Sequence, residues 1–144
     1  MFKEITVISK NFAWIKMEGT TTDDLLNMNV VFEENEKKIL GEVDEIDNGQ
    51  IKVSFLGEFI NGKFQGGIIR KPSLTANVRI INQDELGELV GNNNKKGMIL
   101  GLSPLYGDCP IKIDIDDMWS NHSAIFGNTG SGKTYGVSRF VQNL

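Results

Sequence analysis

The sequence predicts a mainly β N-terminal part, a small antiparallel β-barrel, followed by the first strand, loop and helix of an α/β domain. Three observations carry this. Short runs rich in Val, Ile and aromatics recur from Lys3 to about Asn82, two Asn-Gly pairs fall between such runs, and "SAIF" leads through a glycine-rich loop into a helical stripe.

The clearest strand is "QIKVSFL". Ile51, Val53 and Phe55 alternate with Gln50, Lys52 and Ser54, the period-two pattern of a strand with one buried face. Asn48-Gly49 precedes it, and Asn61-Gly62 follows between "GEFI" and "KFQGGII". A two-residue type I′ turn needs positive φ at both central positions, which Asn-Gly tolerates best. Residues 38–69 therefore read as a three-stranded antiparallel meander. "EITVIS", "FAWIKM", "NVVFEE" and "ANVRII" supply further strands. Strands at this spacing suggest a small barrel or sandwich.

Two short helices interrupt the pattern. "TTTDDLLNM" offers Thr and Asp caps ahead of Leu25-Leu26. "NQDELGELV" puts Asn82 at a cap position, acids in the first turn, and Leu86, Leu89 and Val90 on one face. The polar stretch "GNNNKKG" at 91–97 reads as a linker. The expected division is a domain over 1–97 and the start of a second over 98–144. In the latter, "MILGL" and "CPIKIDID" are short apolar or alternating runs and "HSAIFG" is a buried-type strand.

Composition narrows the class. Of 144 residues, 40% are apolar and 24% charged, a globular balance for one domain, or one small domain plus part of another. No apolar run approaches the roughly 18 residues of a membrane span, and "MFKEITVISKNFAW" lacks the apolar core of a signal peptide. A single cysteine, Cys109, rules out an internal disulfide framework and fits a reducing cytoplasm. Residues 1–97 hold 12 Lys/Arg against 15 Asp/Glu, and residues 98–144 hold 3 against 4. Neither part has the basic footprint of a surface that grips nucleic acid.

Gly127–Thr134, "GNTGSGKT", fills the pattern G-x-x-x-x-G-K-[ST]. Its four fixed positions would match by chance in roughly one chain in two hundred of this length. The context strengthens it, because such a loop follows a strand and opens a helix. "SAIF" is the expected strand, and Val137, Phe140, Val141 and Leu144 form one helical stripe behind the loop. Gly127, Gly130 and Gly132 let the backbone approach phosphate oxygens, and successive N–H groups make an anion nest at the helix start. Lys133 reaches the β- and γ-phosphates as the catalytic residue, and the Thr134 hydroxyl is placed to ligate Mg²⁺. Asn128, Thr129, Ser131 and Tyr135 complete the expected ATP-binding set. A phosphate-loop ATPase also needs an acidic strand end and a group that orients the attacking water. Neither follows Thr134, so these residues are expected to be the front portion of a longer protein, inactive alone.

The barrel-like strand pattern, the linker and "PIKIDIDDMWSNHSAIFGNTGSGKT" together resemble the start of HerA-type ATPases, in the HerA/FtsK branch of P-loop NTPases. Ile113 and Asp114, His122 ahead of the strand, and the loop from Gly127 carry the resemblance in detail over residues 98–144. It implies an N-terminal barrel of the HAS type, a RecA-like motor core, ATP and Mg²⁺ as cofactors, and a hexameric ring that moves on or unwinds double-stranded DNA. It also implies a nuclease or sirtuin-like effector as partner, the latter in bacterial antiviral defence, with the DNA contacts outside these residues.

Other residues have plainer readings. His122 is expected to pack or hydrogen-bond at a strand start, and with no second histidine or cysteine cluster no zinc site is expected. Asp114 and Asp116 share a solvent-facing strand face by alternation, with Asp117 beside them. Lys95-Lys96 belong to a charged linker, and Trp14 and Trp119 to core or domain contacts. Two competing functions remain: an oligomerisation and docking module without activity of its own, and a barrel-bearing RecA-type ATPase that does not act on DNA.

Overall fold

The computed structural model describes residues 2–19, 25–90, 97–120, 122 and 124–142, the side chains of Asp117 and Trp119 excepted. The chain forms two compact units, Met1–Glu85 and Leu86–Leu144.

The first unit is one antiparallel sheet. Its strands are β1 (Phe2–Ile8), β2 (Phe12–Met17), β3 (Asn29–Glu34), β4 (Lys37–Asp47), β5 (Gln50–Ile60), β6 (Lys63–Gly66) and β7 (Asn77–Ile80). The spatial order is β1-β2-β5-β4-β3-β7, with β6 on β5. The expected meander is β4-β5-β6, and both Asn-Gly pairs make its turns. Their φ values are 45° and 76° at Asn48-Gly49, and 52° and 77° at Asn61-Gly62, the left-handed pair that type I′ requires.

Alternation builds the core. Ile15, Val30, Val43, Ile51 and Val53 are fully buried on one face with Phe32, whose ring meets Phe55 edge-on at 5.3 Å. The long β4–β5 pair shifts register between Leu40 and Gly41 and again between Val43 and Glu45, and such irregularities bend a sheet. Gly41 lies at one bend, where a Cβ would stand 2.4 Å from Val53 Cγ1. The sheet curls into a half-barrel. Among the described residues no ladder joins β1 to β7, and a cleft of about 300 Å³ lined by Phe2, Ile5, Leu74 and Val78 lies between these edges.

Helix α1 (Gln83–Leu89) closes the first unit and opens the second. The Glu85 N–H donates to Asn82 Oδ1 at 2.9 Å, and the Asn82 N–H donates back to Glu85 Oε2 at 3.2 Å. This reciprocal cap satisfies two backbone donors at the helix start. Of the expected "TTTDDLLNM" helix, residues 20–24 lie outside the described residues, and Leu25–Met28 form a turn with Asn27 at φ 65°.

The second unit begins with a hairpin, β8 (Gly97–Ser103) and β9 (Cys109–Asp114), joined through a short 3-10 turn at Pro104–Tyr106. Two helices follow, α2 (Ile115–Ser120) and α3 (Lys133–Gln142). Here the sequence reading needs two corrections. Asp116 is not on a strand face with Asp114, because β9 stops at Asp114 and Asp116 lies in α2. Residues 124–126 form no strand either. A strand exists through ladder bonds to a neighbour, and no described strand pairs with this run.

Candidate nucleotide-binding site

The loop from Gly127 is continuous with α3. The Ser131 N–H donates to Asn128 O at 3.1 Å, closing a turn, and the Gly136 N–H donates to Gly132 O at 2.8 Å, starting the helix. Gly130 and Gly132 have φ of 83° and 82°, a region open to glycine at no steric cost. Gly127 is held to glycine for another reason. A Cβ there would lie 2.6 Å from Ser131 Oγ and 3.3 Å from Lys133 Cγ, so the chain wraps tightly around its own first residue.

Lys133 folds over this turn. Its ammonium donates to Gly127 O at 2.5 Å and to Asn128 O at 2.6 Å. Thr134 and Tyr135 follow in the first turn of α3, whose leading N–H groups have no partner within the helix. All nine expected residues, Gly127, Asn128, Thr129, Gly130, Ser131, Gly132, Lys133, Thr134 and Tyr135, thus fall in one exposed loop and helix start. A closed glycine turn, left-handed glycines, an ammonium folded over the turn and a hydroxyl at a positive helix end fit a polyphosphate with its magnesium ion.

The residues around the loop fare differently. His122, expected to pack or hydrogen-bond at a strand start, is exposed, and no described strand pairs with residues 124–126 that follow it. Trp14 is half-buried in β2, whereas Lys95-Lys96 and the Trp119 side chain lie outside the described residues. Behind the loop, α3 is a helix as expected, but none of its described residues is buried, and Val137 and Val141 are 40% and 55% exposed. Among the described residues no group of three or more His, Cys, Asp and Glu is placed to hold a metal. No helix among them is long and apolar enough to cross a membrane.

The displaced titrations belong to the first unit. Glu85 is buried, its carboxylate taken by both Arg79 nitrogens at 2.7 and 2.8 Å and by Lys38 at 2.9 Å. Arg79 above all, with Lys38 and the Asn82 N–H, lowers its pKa to about 2, and the same contact raises that of Arg79. The Ser73 hydroxyl, at 2.6 Å, lowers that of Glu34.

Sequence reasoning missed one neighbour of the loop. Met98, Ile99 and Leu100 of β8 face Tyr135, Gly136, Arg139 and Phe140 of α3 across a cleft. The available signal was Gly136 itself, a helix-weakening residue inside a helical segment.

No curated protein matches the chain. Residues 84–144 match the family model described as helicase HerA, central domain. The match starts at α1, earlier than the stretch from residue 98 on which the motifs alone rest. Over residues 84–144, the chain is similar to the central domain of the HerA-type ATPases.

Proposed function

We propose that the full-length protein binds ATP with Mg²⁺ on Gly127–Tyr135 and hydrolyses it as a ring-forming, hexameric motor on double-stranded DNA. The loop geometry carries the reading: a turn closed on Gly127, with Lys133 and Thr134 at the start of α3, inside residues that match the HerA family. The N–H groups of the loop hold the phosphates, with Asn128, Thr129 and Ser131 alongside and Tyr135 flanking them. Lys133 exchanges its two carbonyl partners for phosphate oxygens and stabilises the charge that develops on them. Thr134 holds the metal. The bound Mg–ATP supplies the phosphoryl group and a divalent charge that neutralises its oxygens.

The domain of residues 1–97 serves ring assembly and docking of a nuclease or sirtuin-like effector in antiviral defence. Its two unclosed edges, β1 and β7, support that role. They equally favour the second reading, a docking module without turnover. Residues 98–144 open the motor domain, and the protein works in the cytoplasm.

The test is equilibrium binding of ATP by the full-length protein, followed by turnover with and without double-stranded DNA. Lys133→Ala is expected to weaken ATP binding by about tenfold or more, the worth of charge-assisted bonds, and to abolish turnover. Binding that ignores Lys133→Ala would overturn the site. Turnover indifferent to DNA would leave an ATPase that does not use DNA, and ATP binding with no turnover would leave the docking module.

A further inference from the structure

The cleft beside the phosphate loop has one wall in β8 and the other in α3. Met98, Ile99 and Leu100 form the first, and Tyr135, Gly136, Arg139 and Phe140 the second. It holds about 250 Å³, just under the roughly 300 Å³ at which pockets for whole small molecules begin. That is room for one ring system. Tyr135 directly follows Thr134, so the cleft starts where the loop stops.

Its chemistry is that of a face for a flat ring. Ile99 and Leu100 are half-exposed, at 50% and 54%, while Met98 beneath them is buried. On the other wall, Tyr135 and Arg139 stand four residues apart on one side of α3. An aromatic ring and a guanidinium both stack on π-systems, and the guanidinium adds hydrogen-bond donors for a ring edge.

Gly136 is the most telling residue. Glycine inside a helix costs about 1 kcal/mol relative to Ala. Gly41 is held to glycine by crowding and Gly130 by positive φ. Gly136 has neither: it is helical, and a Cβ built on it would meet nothing within 4 Å. The missing side chain leaves open space on the cleft wall, one turn of helix from the phosphate loop.

We propose that this cleft receives the purine base of the nucleotide, held between Ile99-Leu100 of β8 and Tyr135-Arg139 across the gap at Gly136. The proposal rests on the phosphate-loop reading above and adds the residues that distinguish a nucleotide from bare polyphosphate. It assigns β8, some thirty residues upstream in sequence, to the nucleotide site.

The test compares equilibrium binding of ATP, CTP and inorganic triphosphate, each with Mg²⁺, to the full-length protein and to Gly136→Leu. This variant suits the helix better than glycine and meets no neighbouring atom at its Cβ, so it should fold. The native protein should prefer ATP over triphosphate by about tenfold or more, and over CTP by less. Gly136→Leu should erase that preference and leave triphosphate binding unchanged. Leu100→Asn, on the opposite wall, should weaken ATP alone by several-fold. Equal binding of ATP and triphosphate by the native protein would overturn the base site while sparing the phosphate loop. So would a preference for ATP that survives both variants. If Lys133→Ala leaves triphosphate binding intact, the phosphate-loop reading falls and takes this one with it.

Discussion

The two units of this chain use their apolar residues in opposite ways. In the sheet, Ala13, Ile15, Val30, Ile51 and Val53 have no exposed surface at all. Around the phosphate loop, Phe126 is 90% exposed, Ile125 is 59% exposed, and α3 buries none of its described residues. The first unit satisfies its own pattern, since alternation on five neighbouring strands meets on one face. The second has regular elements with apolar faces uncovered among the described residues. Stability and the proposed nucleotide chemistry therefore reside in different residues, and each can be altered without the other.

The sharpest way to break that separation is to truncate one aromatic in each unit. Phe32→Ala should cost about 3–5 kcal/mol, because a buried ring packed on Phe55 leaves a cavity. Phe126→Ala should change unfolding by less than about 0.5 kcal/mol, as an exposed side chain does. Denaturant titration followed by far-UV circular dichroism reads both, and equal losses would dissolve the contrast.

A smaller effect comes from the ion cluster that ties α1 to the sheet. Glu85 titrates at about 2 against an ordinary 4.5. A carboxyl depressed in the folded state contributes fully above pH 4.5, and that contribution is lost as pH falls toward 2. Glu85→Gln should thus be less stable than the parent by about 2–3 kcal/mol at pH 7, and the gap should close between pH 4.5 and 2. A gap independent of pH would mean that shape and not charge holds Arg79 and Lys38. The smallest change is Asn82→Ala, which removes the cap of α1. About 1 kcal/mol is expected from the same titration, with nucleotide binding unaltered.

What could be read from the sequence was local. Asn48-Gly49 and Asn61-Gly62 specified their turns because type I′ geometry is a property of two residues. Asn82 announced the start of α1 for the same reason, and the glycine-rich loop ahead of α3 is a contiguous string. What escaped depends on distant pairings. Arg79 meets Glu33 across 46 residues and Lys38 meets Glu85 across 47, and no periodicity in either segment records the encounter. The cleft wall at Met98–Leu100 was hidden likewise, since β8 reads only as a short apolar run. "SAIF" misled in the other direction: its composition is that of a strand, but composition cannot supply the neighbour that makes one.

The unclosed sheet has a consequence for the behaviour of the chain in a crowded solution. Unpaired strand borders are templates on which other chains can stack into fibrils. Here one border, β7, is only four residues long, and the β1–β2 pairing is broken in register between Phe2 and Glu4 and again between Ile5 and Val7. A long incoming strand finds no straight row of donors and acceptors on either side. The half-barrel can stay open to a fitted partner while remaining a poor seed for indiscriminate aggregation.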